Sequence, residues 1–169
     1  MDAKVYELLN DQVNKEFYSA YLYLDMANYY TAQGLDGFAN WFTVQAKEEQ
    51  DHAIMFYNYL LDNNEKVVLE AIAKPDKTYS AFIEPLQESY RHEQYVTSLI
   101  NGIYAAANAV NDFRTMKFLD YFVTEQGEEE KNASDLIGKM ELYGDDKRSL
   151  YMLNSELAAR TYTAPAAAE

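Results

Sequence analysis

The chain has 169 residues, 49% hydrophobic and 25% charged, which suits one soluble globular domain with a sizeable core. Its net charge of −14 speaks against nucleic acid and anionic membrane surfaces as partners, since both call for a basic patch, and makes cations the better expectation. Cysteine is absent, which excludes disulfides and thiolate metal sites and fits a reducing cytoplasm.

The opening MDAKVYELLNDQ lacks the basic-then-apolar pattern of a signal peptide. No apolar run approaches the roughly 20 residues needed to cross a bilayer. A cytoplasmic protein with no membrane partner is therefore expected. With 6 Gly and 3 Pro there is little turn-forming material, which favours a few long helices over many short strands.

Residues 3–31 carry Leu9, Val13, Glu16, Ala20, Tyr23, Ala27 and Tyr30 at alternating spacings of three and four, the repeat of a helix buried along one seam. The turn AQGLDG ends this first helix. Residues 36–62 repeat the pattern with Phe38, Phe42, Gln45, Glu49, His52, Phe56 and Tyr59, and Asp36 is the expected N-cap. About 20 residues without helical pattern, DNNEKVVLEAIAKPDKTYSAF, follow. Residues 84–111 predict a third helix through Leu86, Tyr90, Glu93, Thr97, Ile100, Tyr104 and Ala107, with Pro85 in its first turn. Residues 113–143 predict a fourth through Leu119, Phe122, Gln126, Glu129, Ala133, Leu136 and Met140, stopped at Gly144. A short fifth helix fits about 146–160, with Leu150, Leu153 and Leu157 on one side, and is expected to stay out of the bundle core.

Short links make the first and second helices antiparallel, and likewise the third and fourth. The long link between the second and third can run the length of the molecule. The prediction is an all-α four-helix bundle with one long crossover plus a short C-terminal helix, as one domain over 1–160 with a flexible tail over 161–169.

Each seam is interrupted midway by polar groups: Glu16, then Glu49 with His52, then Glu93, then Gln126 with Glu129. Burying one ionised carboxylate is costly, and burying four at one level is prohibitive without a compensating cation. Four carboxylates and one imidazole can hold about two divalent metals, with carboxylates bridging. Glu49 and His52 are three apart and share a helix face, as do Gln126 and Glu129. Two helices giving one Glu each and two giving such a pair is the layout of di-iron carboxylate bundles. The donor set suits Fe(II) and accepts Mn(II) or Zn(II). The alternative is that the seams are misphased and these residues face water.

The segments EFYSAYLYL (16–24), EEQDH (48–52), YRHEQ (90–94) and EQGEEE (125–130) closely resemble the prokaryotic non-haem ferritins, and the resemblance runs from about Val5 to Leu157. It implies a first iron site of Glu16, Glu49 and His52, and a second of Glu93 and Glu129 with Glu49 bridging. Gln126 is then a polar neighbour of the pair. It also implies a third iron site at Glu48, Glu125 and Glu128, shared with Glu129, and a tyrosine beside the centre, Tyr23. The residues leave Tyr23 two roles, a core tyrosine tied to a site carboxylate or an electron donor. The family's activity is ferroxidase, oxidising Fe(II) with O2 or hydrogen peroxide and storing ferric mineral in a hollow homo-oligomer of 24 subunits. In that family the fifth helix packs among other subunits.

Gln50 stands where haem-binding relatives carry the ligating methionine, so no haem is expected. Gln126 and Glu129 stand where those relatives repeat the E-x-x-H pair. Two rival readings remain at this stage: a small di-iron peroxidase or oxidase that stores no iron, and a helical assembly protein whose acids face water. His92 reads as a surface histidine, Glu130 as a solvated or cavity-lining carboxylate, and Gly127 as a helix-weakening residue with no evident reason.

Overall fold

The computed structural model describes residues 1–165, and those residues form helices α1 (Ala3–Ala32), α2 (Asp36–Asp62), α3 (Glu84–Ala109), α4 (Phe113–Tyr143) and α5 (Lys147–Leu157), with no strand among them. The five expected helices are all present. Helix α3 stops earlier than the pattern suggested. Asn111 takes a left-handed φ of 56°, and the Asp112 amide turns back onto the Ala107 carbonyl at 2.9 Å. Gly34 (φ 72°) and Asn64 (φ 60°) end α1 and α2 in the same way.

The link between α2 and α3 is extended and tied to α1 rung by rung. The Tyr6 hydroxyl donates to the Lys66 carbonyl at 2.7 Å. The Asn10 side chain both donates to and accepts from the Val68 backbone, at 3.1 and 2.8 Å. Asn14 donates to Glu70 and Ala71, and near the far end of α1 the Tyr30 hydroxyl donates to the Phe82 carbonyl. The crossover thus runs alongside α1 from its first turns to its last. It delivers α3 antiparallel to α1, as the length of the link required.

Asp36 is not the N-cap of α2. Helix α2 starts at Asp36 with Leu35 in the cap position and no side-chain bond of its own. Asn154 of α5 takes that role, its Oδ1 accepting from the amides of Gly37 at 2.9 Å and Phe38 at 3.3 Å. The expectation that α5 stays out of the core also fails. Leu153 and Leu157 are 4% exposed and join the core cluster built on Tyr30, Phe38 and Phe42. Gly144 ends α4, but with a right-handed φ of −67°. Of the expected tail, residues 161–165 are non-helical, and residues 166–169 lie outside the described residues.

The apolar core is in two parts. One, around Tyr23, Met26, Tyr30, Phe38, Phe42 and Met140, fills the end where α5 docks. The other, around Leu9, Val13, Phe56, Ile100, Leu119 and Phe122, fills the opposite end. Between them lies a buried polar layer that includes Gln12, Glu16, Gln45, Glu49, His52, Glu93, Gln126 and Glu129.

The α2–α5 joint gives a test. A Cβ added at Gly37 would sit 1.7 Å from the Asn154 carbonyl oxygen, so α5 must move to admit it. Gly37→Ala is expected to cost about 1–3 kcal/mol by overpacking, and to make α5 the first site of proteolysis. Thermal unfolding and limited digestion read both effects.

Candidate metal centre

The four helices each bring one carboxylate to the layer between the two apolar clusters. Glu16, Glu49, Glu93 and Glu129 are 1%, 3%, 1% and 6% exposed, and His52 is 2% exposed. The reading in which these residues face water is therefore wrong. The helical repeat explains the placement: the seam that buries Val13 and Tyr23 must also bury Glu16, and the seam that buries Phe42 and Phe56 must bury Glu49 and His52.

Glu16, Glu49 and His52 converge so closely that one ligand atom from each lies within 4.8 Å of the others. His52 Nδ1 is 3.3 Å from Glu49 Oε2. Glu93 and Glu129 face Glu49 from α3 and α4 and add their negative potential to it. Burial pushes the Glu16 and Glu129 carboxyls up to about 8 and Glu93 up to about 7. Burial, and then the charges of Glu93 and Glu129, holds Glu49 far above the carboxylate range. Four acids that resist ionisation at neutral pH mark a layer that is unfavourable without a cation.

Among the described residues two buried carboxylate oxygens have no hydrogen-bond partner, Glu16 Oε2 and Glu49 Oε1. Both belong to the converging group. Oxygens buried in this way cost free energy unless something satisfies them. A divalent ion does so, and it reverses the charge balance that raises the carboxyl pKa values. The donor set of carboxylates with one imidazole suits Fe(II), Mn(II) or Zn(II).

The second ring of contacts orients these carboxylates. Tyr23 is fully buried and its hydroxyl donates to Glu93 Oε1. That contact matches the core-tyrosine role the sequence left open. Gln126 donates from Nε2 to Glu93 Oε2 at 3.0 Å and to the Glu93 carbonyl at 3.2 Å. It is a neighbour that holds a carboxylate.

Glu48, Glu125 and Glu128 stand outside the converging group. Glu48 is half-buried, feels the charge of Glu125, and pairs with Arg160 at 2.5 Å. Glu128 is exposed. His92 is not a surface residue: it is 9% exposed, its Nε2 lies 2.7 Å from Ser19 Oγ, and burial lowers its pKa to about 4. Its ring packs against Tyr18, Tyr23 and Tyr95. Glu130 accepts from the Thr97 hydroxyl at 2.6 Å. At Gly127 an added Cβ would meet nothing, and nothing in the structure explains the glycine.

Three participants escaped the sequence reading. Gln12 donates to Glu16 Oε1 at 2.8 Å, Gln45 donates to Glu129 Oε2 at 2.5 Å, and Arg160 donates to Gln45 Oε1 at 2.7 Å. The two glutamines had a visible signal: each stands one helical turn before a buried glutamate, Gln12 before Glu16 and Gln45 before Glu49. Arg160 had none, since its partners are more than a hundred residues away.

Comparison with known proteins identifies the family of this fold. A family model for the ferritin-like domain matches residues 6–143. The chain is 37% identical to a bacterial non-heme ferritin of Staphylococcus aureus over 156 residues, covering 92% of this chain and 94% of that protein. It is 35% identical to a probable bacterial non-heme ferritin-like protein of Haemophilus influenzae, over 93% of this chain and 95% of that protein. Among solved structures, an open pore ferritin of the archaeon Archaeoglobus fulgidus superposes with a TM-score of 0.93 at 40% identity, covering 95% of this chain and 98% of that one.

The raised carboxyl pKa values have a measurable consequence. A folded-state value above the ordinary 4.5 means that the folded chain holds protons the unfolded chain has released, so stability falls as pH rises through the folded values. The buried His92 acts in the opposite sense, but only below its ordinary 6.5. Between pH 6.5 and about 8 the carboxylates alone act, and metal-free protein is expected to lose thermal stability steadily. Divalent metal is expected to abolish that loss. Melting curves across the window, with and without Zn(II), check both.

Proposed function

This chain belongs to the ferritin-like domain family, and on that premise we propose that it is a ferroxidase and iron store that oxidises Fe(II) at a paired-iron centre and keeps the product as ferric mineral. The observation that carries the proposal is the buried group of Glu16, Glu49 and His52 with two carboxylate oxygens left unpartnered. Iron is here the substrate. Glu16, Glu49 and His52 receive one Fe(II), Glu93 and Glu129 receive the second, and Glu49 bridges them.

Each Fe(II) gives up one electron. O2 takes both with two protons and leaves as hydrogen peroxide, and peroxide can serve as oxidant in turn. Holding both irons at one oxidant makes the two-electron step a single encounter. Carboxylate oxygens favour the harder Fe(III), so the oxidised state is the better bound. Gln12, Gln45, Gln126 and Tyr23 keep their carboxylates aimed inward by donating to the oxygens.

Glu48, Glu125 and Glu128 provide a third iron position on the way out. The net charge of −14 on each chain concentrates cations at an acidic wall. Large exposed apolar side chains, including Tyr21, Leu24, Leu69, Phe113 and Leu142, support assembly of copies of this chain into a closed shell. A 24-subunit cage is the assembly proposed.

Fe(II) added without oxygen and then exposed to air tests the proposal. The expected result is rapid ferric absorbance for the first two or three irons per chain, followed by retention of many more, in a particle of twenty-four 19.5-kDa chains. Glu49→Ala, which removes the bridging ligand, is expected to lose the fast phase. A one- or two-chain particle that turns over but holds no iron would instead mark a small di-iron oxidase or peroxidase. Oxidation at the parent's rate in Glu49→Ala would place the chemistry elsewhere.

A further inference from the structure

Arg160 lies just beyond the end of α5 and reaches back onto α2. Its guanidinium stacks on the Trp41 ring, 4.1 Å from the centroid. Nη1 donates to Gln45 Oε1 at 2.7 Å and to the Trp41 carbonyl at 3.3 Å, and Nη2 donates to Glu48 Oε2 at 2.5 Å. Its side chain is 17% exposed. The backbone is fixed as well, because Asn40 Nδ2 donates to the Arg160 carbonyl at 2.9 Å.

We propose that Arg160 is a positioning residue for the metal centre, and that its guanidinium is a built-in cation at Glu48 which any additional divalent ion must displace. The proposal rests on the paired-iron reading above.

Two pieces of chemistry carry it. A guanidinium donates and cannot accept. Gln45 must therefore turn its oxygen to Arg160, which leaves its Nε2 for Glu129 Oε2. With the amide reversed, oxygen would face carboxylate at Glu129 and nitrogen would face guanidinium at Arg160. Arg160 thus sets the hydrogen bond on a carboxylate of the pair without touching it. The second piece is charge. Glu48 stands within the fields of Glu125 and Glu129, and Arg160 sets a positive charge directly against it, with Nη2 on Oε2 at 2.5 Å. A metal drawn to Glu48 meets an occupied carboxylate.

Release needs only a swing of the side chain, since Asn40 holds the backbone. Trp41 and Gln45 also line a small cavity of about 10 Å³ that touches Glu129 and Asn132, so the same arginine fixes two of its walls. The order that follows is filling of the pair first, with further cations entering at Glu48 only as Arg160 lets go.

The test uses full-length, metal-free protein and redox-inert Zn(II) added stepwise in a calorimeter. The parent is expected to take two Zn(II) per chain tightly and a further one weakly. In Arg160→Gln the further ion is expected to bind about tenfold tighter, since one charge-assisted hydrogen bond no longer has to be broken. Arg160→Lys keeps the charge and so keeps the weak further binding, but it loses the fork that spans Gln45 and Glu48. Both variants are therefore expected to shift the visible absorption bands of Co(II) bound at the pair, a signature that a merely structural role would leave in place. Tyr162→Phe, which removes only the neighbouring contact to Asp51, is expected to match the parent. The proposal is overturned if the first two ions bind as in the parent while Arg160→Gln gains nothing at the third. It is also overturned if Arg160→Lys gains as much as Arg160→Gln, or if neither variant moves the Co(II) bands. Failure of the parent to bind two Zn(II) per chain would instead overturn the paired-metal reading, and this one with it.

Discussion

Four carboxylates buried at one level of a helical bundle cannot all be ionised without a cation among them, and the rest of this molecule is arranged around that constraint. Desolvating each charged acid costs several kcal/mol even after the surroundings relax. Glu16, Glu49, Glu93 and Glu129 come one from each helix, so no single helix carries the whole burden. The two apolar clusters lie above and below the layer and supply the burial energy that holds it closed. A divalent ion held in this layer would link stability to metal affinity, because it would bind the folded arrangement and not the dispersed side chains.

The amide and hydroxyl groups around the carboxylates have a definite function in this scheme. Gln12, Gln45, Gln126 and Tyr23 donate to Glu16, Glu129, Glu93 and Glu93 respectively. At Glu16 and Glu129 one oxygen is held and the other stays free, whereas Tyr23 and Gln126 hold both oxygens of Glu93. Such outer contacts set ligand orientation and tune affinity. The unpartnered oxygens of Glu16 and Glu49 lie in the converging group with His52. The same donors keep neutral bonds to the layer when it is protonated, so the fold tolerates both states.

Much of this is legible in the sequence, because the information is periodic. A seam that alternates three and four residues places Glu16 between Val13 and Tyr23, and burial of the flanking residues forces burial of the glutamate. The helix boundaries at 36, 62, 113 and 143 were read correctly for the same reason, from where the pattern starts and stops. What failed is what period cannot encode. Asp36 has the right side chain for a cap, yet Asn154 arrives from another helix to do the work. His92 sits one position off the seam, and only the packing of α1 against α3 turns that flank into core beside Ser19. Arg160 follows the last helix, and its contacts with Gln45 and Glu48 exist only because α5 folds back onto α2.

The central claim is that divalent metal sits inside the bundle between these carboxylates. Anomalous X-ray scattering from crystals soaked in Fe(II) without oxygen, measured on either side of the iron absorption edge, tests it directly. The account predicts two iron peaks in the buried layer, one among Glu16, Glu49 and His52 and the other among Glu49, Glu93 and Glu129. A layer with no iron peak, with the metal confined to exposed carboxylates, would contradict it.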